Sequence, residues 1–166
     1  MGAIMVNFHS LVRQSANVAL IALASAVFAS NAAAKSCGAA EFDAAEGAFR
    51  NVDSWQRLAL AYQRFSHCDL GYVAEGNSEG IVRLLVDHWA WVPELGAVAA
   101  KQPAFLRFVV RHLDTTVDDA DLERIVRLAT TRCPPGHRTL CMSLVKASRQ
   151  AIAQSRRQGA AYGTGQ

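Results

Sequence analysis

From Asp53 onward, apolar residues return every three or four positions, in blocks separated by proline, glycine or a capping side chain. Nowhere do they alternate with the period of a strand. "DSWQRLALAYQRF" offers Asp53 or Ser54 as an N-cap and sets Trp55, Leu58, Ala59, Tyr62 and Phe65 along one helical face. "NSEGIVRLLVDHWAW" predicts a helix from Asn77 or Ser78 with Ile81, Leu84, Leu85, His88 and Trp89 on a common stripe. Pro93 and Pro103 each suit a first helical position, where a missing N–H costs nothing. The first opens the short "PELGAVAAK"; the second opens "PAFLRFVVRHLD", with Phe105, Phe108, Val109, His112 and Leu113 facing inward. Asp118 or Asp119 caps "DADLERIVRLATTRC", whose buried stripe is Leu122, Ile125, Val126 and Ala129. A last helix runs from near Arg138 into "SRRQ" through Leu140, Cys141, Leu144, Val145 and Ile152. The pattern predicts a single compact all-α domain of about five or six short helices. The hairpin-like succession over residues 78–155 suggests a short superhelical stack.

The N-terminal segment reads differently. Arg13 is the only charge before an apolar run from Val18 to Phe28, and Ala32-Ala33-Ala34 forms an A-x-A site. This order predicts a signal peptide over residues 1–34, cleaved after Ala34. The apolar run is too short to span a bilayer, which argues against a stable membrane anchor. Cys37 follows charged Lys35, which does not suit lipid attachment. The expected organisation is therefore a leader over 1–34, a helical domain over 35–155 and a flexible tail over 156–166. The expected location is periplasmic or secreted.

Charge changes the picture little. The formal net charge is +3, with acidic and basic residues interspersed. Without a basic stripe carrying interleaved aromatics, nucleic acid is not an expected partner.

The four cysteines, Cys37, Cys68, Cys133 and Cys141, all lie beyond the leader. An even count in an exported chain reads as two disulfides, with three possible pairings. "PPGHRTL" forces a tight reversal between Cys133 and Cys141, so those two sulfurs should meet. Cys37 is then left for Cys68, fastening "GAAEFDAAEGAFRN" to the end of the first helix. The competing reading is a metal site, because Cys133, His137 and Cys141 form C-x3-H-x3-C. It lacks a fourth ligand, and an oxidising compartment disfavours free thiolates.

"FSHCDLGYVAEGNSEG", residues 65–80, is the densest group of ionisable side chains beside glycines. Read as chemistry, Glu75 would act as acid or base with Asp69 or His67, as in hydrolysis of a cell-wall polymer by paired carboxyl groups. Read as structure, Cys68 is bridged, Asp69 bonds nearby backbone amides, and Gly71 and Gly76 supply positive φ. Asn77 or Ser78 caps the next helix, and Glu79 complements its N-terminus. The stretch is better explained as a joint than as an active site, so no catalytic residue is assigned. His88 and His112, each on an apolar face, could meet or pair with Asp87 or Asp114 around a metal, but packing explains them as well. Trp55, Trp89 and Trp91 read as core or groove wall. No nucleophile elbow, zinc-protease motif or phosphate-cradling loop is present, and no cofactor or metal is expected.

Trp55-x2-Leu58, Tyr62-x2-Phe65-x2-Cys68-Asp69, Glu75-Gly76, Trp89, Pro103-x-Phe105, His112 and Cys133-Pro134…Cys141 form a pattern over roughly residues 54–147. It resembles a group of short exported bacterial helical proteins with two cysteine pairs, which brings no catalytic or binding residue with it. In size, export and helix content the chain is also similar to periplasmic immunity proteins, which neutralise secreted cell-wall-degrading toxins. The resemblance implies an interaction protein with a protein partner in the cell envelope. The alternative expectation is an envelope hydrolase acting through Glu75 with Asp69 or His67.

Overall fold

A computed structural model describes residues 35–163. The expected leader therefore lies outside the described residues. Among those described, every regular element is helical: α1 Ala39–Arg50, α2 Trp55–Phe65, α3 Gly71–Asp87, α4 Val92–Lys101, α5 Pro103–Arg111, α6 Asp119–Thr131 and α7 Arg138–Gly163. Short 3₁₀ turns follow α2 at Ser66–Cys68 and precede α4 at Trp89–Trp91. There are thus seven helices and no strand among the described residues, one or two helices more than the apolar pattern predicts.

The additional helix is α1. Its apolar stripe is narrow, only Phe42, Ala45 and Phe49, but alanine propensity and well-placed charge support it. Glu41 stands in its first turn and Arg50 in its last. Ala45 and Phe49 are buried, Phe42 meets Tyr72 edge-on at 4.8 Å, and Phe49 stacks on Phe108 at 6.2 Å. The helix closes onto α3 and α5 instead of standing alone.

Local capping chemistry behaves as the sequence reading expects elsewhere. Ser54 Oγ accepts a hydrogen bond from the Arg57 amide at 3.3 Å, and Asp118 Oδ1 accepts one from the Ala120 amide at 2.7 Å. Pro93 and Pro103 stand in the first turns of α4 and α5. Trp55, Phe105, Leu122, Ile125 and Leu144 are completely buried in the shared core. Beyond neighbours in chain order, α1 packs on α3, α3 on α6 and α5 on α7, while α6 lies along α7. The last helix continues to Gly163, past residue 155, through an exposed stretch rich in good helix formers.

α3 begins at Gly71, not at Asn77 or Ser78. Gly71 has φ +52°, a conformation that only glycine adopts without penalty, and it turns the chain from the 3₁₀ segment into the helix. Asn77 and Ser78 lie inside α3 and are buried. Ser78 Oγ donates to the Ala74 carbonyl at 3.2 Å, within the helix. Gly76 is likewise an interior helical position, without positive φ, and open space surrounds the place a Cβ would occupy. The two glycines should therefore respond oppositely to alanine. Gly71→Ala is expected to lower stability by roughly 1–2 kcal/mol. Gly76→Ala should raise it by about 0.5–1 kcal/mol. Paired urea melts check both signs.

Both expected disulfides form. Cys37 is bridged to Cys68 with Cα atoms 5.0 Å apart, and Cys133 to Cys141 with Cα atoms 6.0 Å apart. The second closes the reversal between α6 and α7, which is held against the rest of the fold at two points. Trp89 Nε1 donates to the Arg132 carbonyl at 2.8 Å. The His137 ring lies on the backbone of Gly96 in α4, where an added Cβ would stand 2.3 Å from Nδ1 and 2.5 Å from Cε1. Gly96→Ala should displace that ring at an overpacking cost of about 1–3 kcal/mol. Alanine's gain over glycine inside a helix, roughly 0.5–1 kcal/mol, offsets part of this, so the thermal melt should fall where Gly76→Ala raises it. His137→Ala in the same background should recover part of the loss.

Candidate functional site

The turn after α2, the first half of α3 and the end of α5 enclose a cleft of about 350 Å³. His67, Asp69, Glu75, Arg111, His112 and Asp114 line it. The three residues that sequence reading groups as candidate chemistry, His67, Asp69 and Glu75, thus share one cleft. Their individual surroundings are different.

Asp69 is the centre. It follows the 3₁₀ turn that the Cys37–Cys68 bridge fastens, and its side chain is only 5% exposed. Oδ1 accepts hydrogen bonds from Asn77 Nδ2 at 2.9 Å and from His112 Nε2 at 3.0 Å. Oδ2 accepts one from Arg111 Nη2. The expected bonds from Asp69 to nearby backbone amides are replaced by these side chains of α3 and α5. Burial is the largest influence on its pKa and pushes it up. The hydrogen bond and charge of His112, then Asn77 and Arg111, outweigh burial and hold the carboxyl below its ordinary 3.8.

His112 is equally committed. Its other ring nitrogen, Nδ1, donates to the Phe108 carbonyl at 2.9 Å, and its side chain is 4% exposed. Both ring nitrogens thus face oxygen atoms of the protein, and the buried Asp69–His112 pair joins the turn after α2 to the end of α5. Asn77 adds α3 to the junction.

The other cleft groups are mostly local. His67 Nε2 lies 3.4 Å from Glu41 Oε2 of α1. Glu41 is pulled down to about 2, chiefly by the Lys35 hydrogen bond at 2.6 Å, with smaller help from Gly38 and His67 against some burial. Asp114 Oδ1 accepts from the Thr116 amide at 2.8 Å and from its hydroxyl at 2.6 Å, closing a turn. Glu75 is exposed, and no hydrogen bond or ion pair engages it among the described residues.

This arrangement suits structure more than acid–base chemistry. A general acid needs a proton at working pH, which requires a raised pKa, and Asp69 is shifted the other way. A general base needs a lone pair facing substrate, and three donors of the protein already occupy most of the accepting positions of the buried Asp69 carboxylate. Metal binding meets a similar obstacle. Cys37, His67 and Cys68 bring ligating atoms within 4.8 Å of one another, but the sulfurs are bonded together. The bridge between Cys133 and Cys141 likewise consumes both thiols of the C-x3-H-x3-C pattern. His88 is exposed and stacked on Trp91 at 4.0 Å, because α3 ends at Asp87 before His88 can join its buried stripe. It is not paired with His112.

Sequence reading singles out neither Arg111 nor the true role of Asn77. Both reach Asp69 through the tertiary fold, Arg111 from 42 positions away, and no local spacing announces them. A second concavity also goes unmarked in the pattern. Between α6 and α7, a groove of about 630 Å³ has Ala129, Val145, Met142 and the Cys133–Cys141 bridge along it. Arg138, Lys146 and Arg149 stand at its edges. Its only signal in sequence is the spacing Arg138, Met142, Val145, Arg149 along one face of α7.

No helix among the described residues is long and apolar enough to cross a membrane. Comparison with known proteins finds no family model, no curated protein and no solved structure that matches the chain.

Proposed function

We propose that this chain is an interaction protein of the bacterial envelope, exported by its leader, whose task is to bind another protein. Its most concrete form is an immunity-type inhibitor of a secreted cell-wall-degrading toxin. One observation carries the reading against its rival. The buried Asp69 carboxylate, which the hydrolase reading would pair with Glu75, is instead held by Asn77, His112 and Arg111, and Asp114 is engaged by its own turn through Thr116. Glycan hydrolysis by paired carboxyl groups needs both. The two disulfides fit an oxidising compartment.

Affinity capture tests this directly. The tagged, oxidised protein, passed over a periplasmic extract of its source cell, should retain one partner in stoichiometric amount. Added to that partner, it should suppress release of soluble fragments from peptidoglycan. Release of fragments by the protein itself, abolished in Glu75→Gln, would instead establish the hydrolase.

A further inference from the structure

We infer that the groove between α6 and α7 is the surface that receives the partner, and that its occupant is an acidic amphipathic helix of that protein. The inference rests on the binding reading above and names the face and the chemistry. Three observations carry it.

The groove is concave, with Ala129, Met142 and Val145 as an apolar strip among polar and cationic lining residues. Met142 is 55% exposed, Val145 is half-buried, and the Cys133–Cys141 bridge holds one end in shape. A furrow between two helices, with room for a few aliphatic side chains, matches the helix-in-groove mode of recognition. A membrane surface would favour a convex apolar face instead.

The charge is of one sign. Arg138, Lys146 and Arg149 line the groove and no carboxylate does. None of the three has an ion-pair partner among the described residues; Arg107, Arg124 and Arg127 also lack one, so what distinguishes the three is their convergence on one furrow. Cations left unpaired beside an apolar furrow complement Asp or Glu flanking apolar anchors.

The register fits as well. Arg138, Met142, Val145 and Arg149 follow one another at helical spacing, so a helix lying along α7 would meet apolar and cationic positions in turn. Glu123, farther along, is already paired with Arg156 at 2.9 Å and adds no free negative charge.

The probe is a synthetic peptide of about 18 residues, roughly 27 Å long as a helix. It carries leucine at the i, i+3, i+4, i+7 positions and glutamate at the flanks; a control peptide has lysine for each glutamate. The acidic peptide should bind at least about tenfold more tightly, with affinity falling as salt is added. The Met142 methyl resonance should shift on binding. Lys146→Glu combined with Arg149→Glu should reverse the preference between peptides while leaving the thermal melt unchanged, since both side chains are exposed. If that pair lowers the melt, Arg138→Glu alone should still weaken acidic-peptide binding.

Equal binding of the two peptides overturns the inference. So does tighter binding to phosphatidylglycerol vesicles than to the acidic peptide, or resonance shifts confined to the Asp69 cleft. A natural partner captured undiminished by the Lys146→Glu, Arg149→Glu protein overturns the groove and leaves the binding reading intact. Failure to capture any partner overturns the reading itself.

Discussion

Asp69→Ala is expected to cost about 3–5 kcal/mol, the range for removing one member of a buried ion pair. The loss is large because the surviving partners are stranded. His112 would keep a buried ring nitrogen facing a cavity, Asn77 Nδ2 would lose its acceptor, and the turn after α2 would lose its tie to α3 and α5. Arg111 adds little to this sum, since its side chain is 64% exposed and water solvates it readily. Asp69→Asn should be milder, because the shape survives and one amide oxygen still accepts. The pH dependence separates the charge from the shape. A carboxyl group whose folded pKa is depressed contributes stability above its unfolded value, near 3.8, and loses it as pH falls through the folded pKa. Wild-type stability should therefore fall steeply below about pH 4, and Asp69→Asn should lack that share of the slope. Chemical melts at pH 7 and at steps down to pH 3 check both statements.

Loss of the Cys37–Cys68 bridge is the second large effect. The two cysteines are 31 positions apart, and the chain-entropy relation assigns about 3.5 kcal/mol to closing such a loop. The Cys133–Cys141 bridge spans only 8 positions, for which the same relation gives about 2.5 kcal/mol. Because a domain of this size is stable by roughly 5–15 kcal/mol in total, either loss is felt. The first should reach further than entropy alone. Cys68 adjoins Asp69 and His67, so opening the bridge frees the turn that aims Asp69 at His112 and loosens the contact of His67 with Glu41 of α1. Cys37→Ala with Cys68→Ala should thus lower the melting temperature more than Cys133→Ala with Cys141→Ala. It should also raise amide exchange in α1 and at residues 66–70, measured by hydrogen–deuterium exchange.

The parts of this fold written in local chemistry are legible in its sequence. Ser54 and Asp118 cap where a capping side chain precedes an apolar stripe, and Pro93 and Pro103 stand in first helical turns, where a missing N–H costs nothing. The prolines and glycine between Cys133 and Cys141 imply their bridge. What depends on distant partners is not legible. α1 carries too few apolar residues to stand out, and its burial comes from Tyr72 and Phe108 on other helices. The glycines of residues 71–80 resemble helix breakers, yet Val73, Asn77 and Ile81 are buried by α3's neighbours and keep the helix going through Gly76. His67, Asp69 and Glu75 do gather in one cleft as their proximity in sequence suggests. Their meaning, however, is set by Glu41, Arg111 and His112, and His112 reaches Asp69 from 43 positions away.

Whether Asp69 is a structural anion or a catalytic acid turns on the protonation of its own carboxyl group. Carbon-13 NMR of protein labelled in its aspartates, with Asp69→Asn assigning the resonance, follows that group through a pH titration. A structural ion pair predicts that Asp69 stays ionised below its ordinary 3.8, until acid unfolds the chain. An Asp69 carboxyl group that holds its proton toward neutral pH, as a catalytic acid must, would contradict the account.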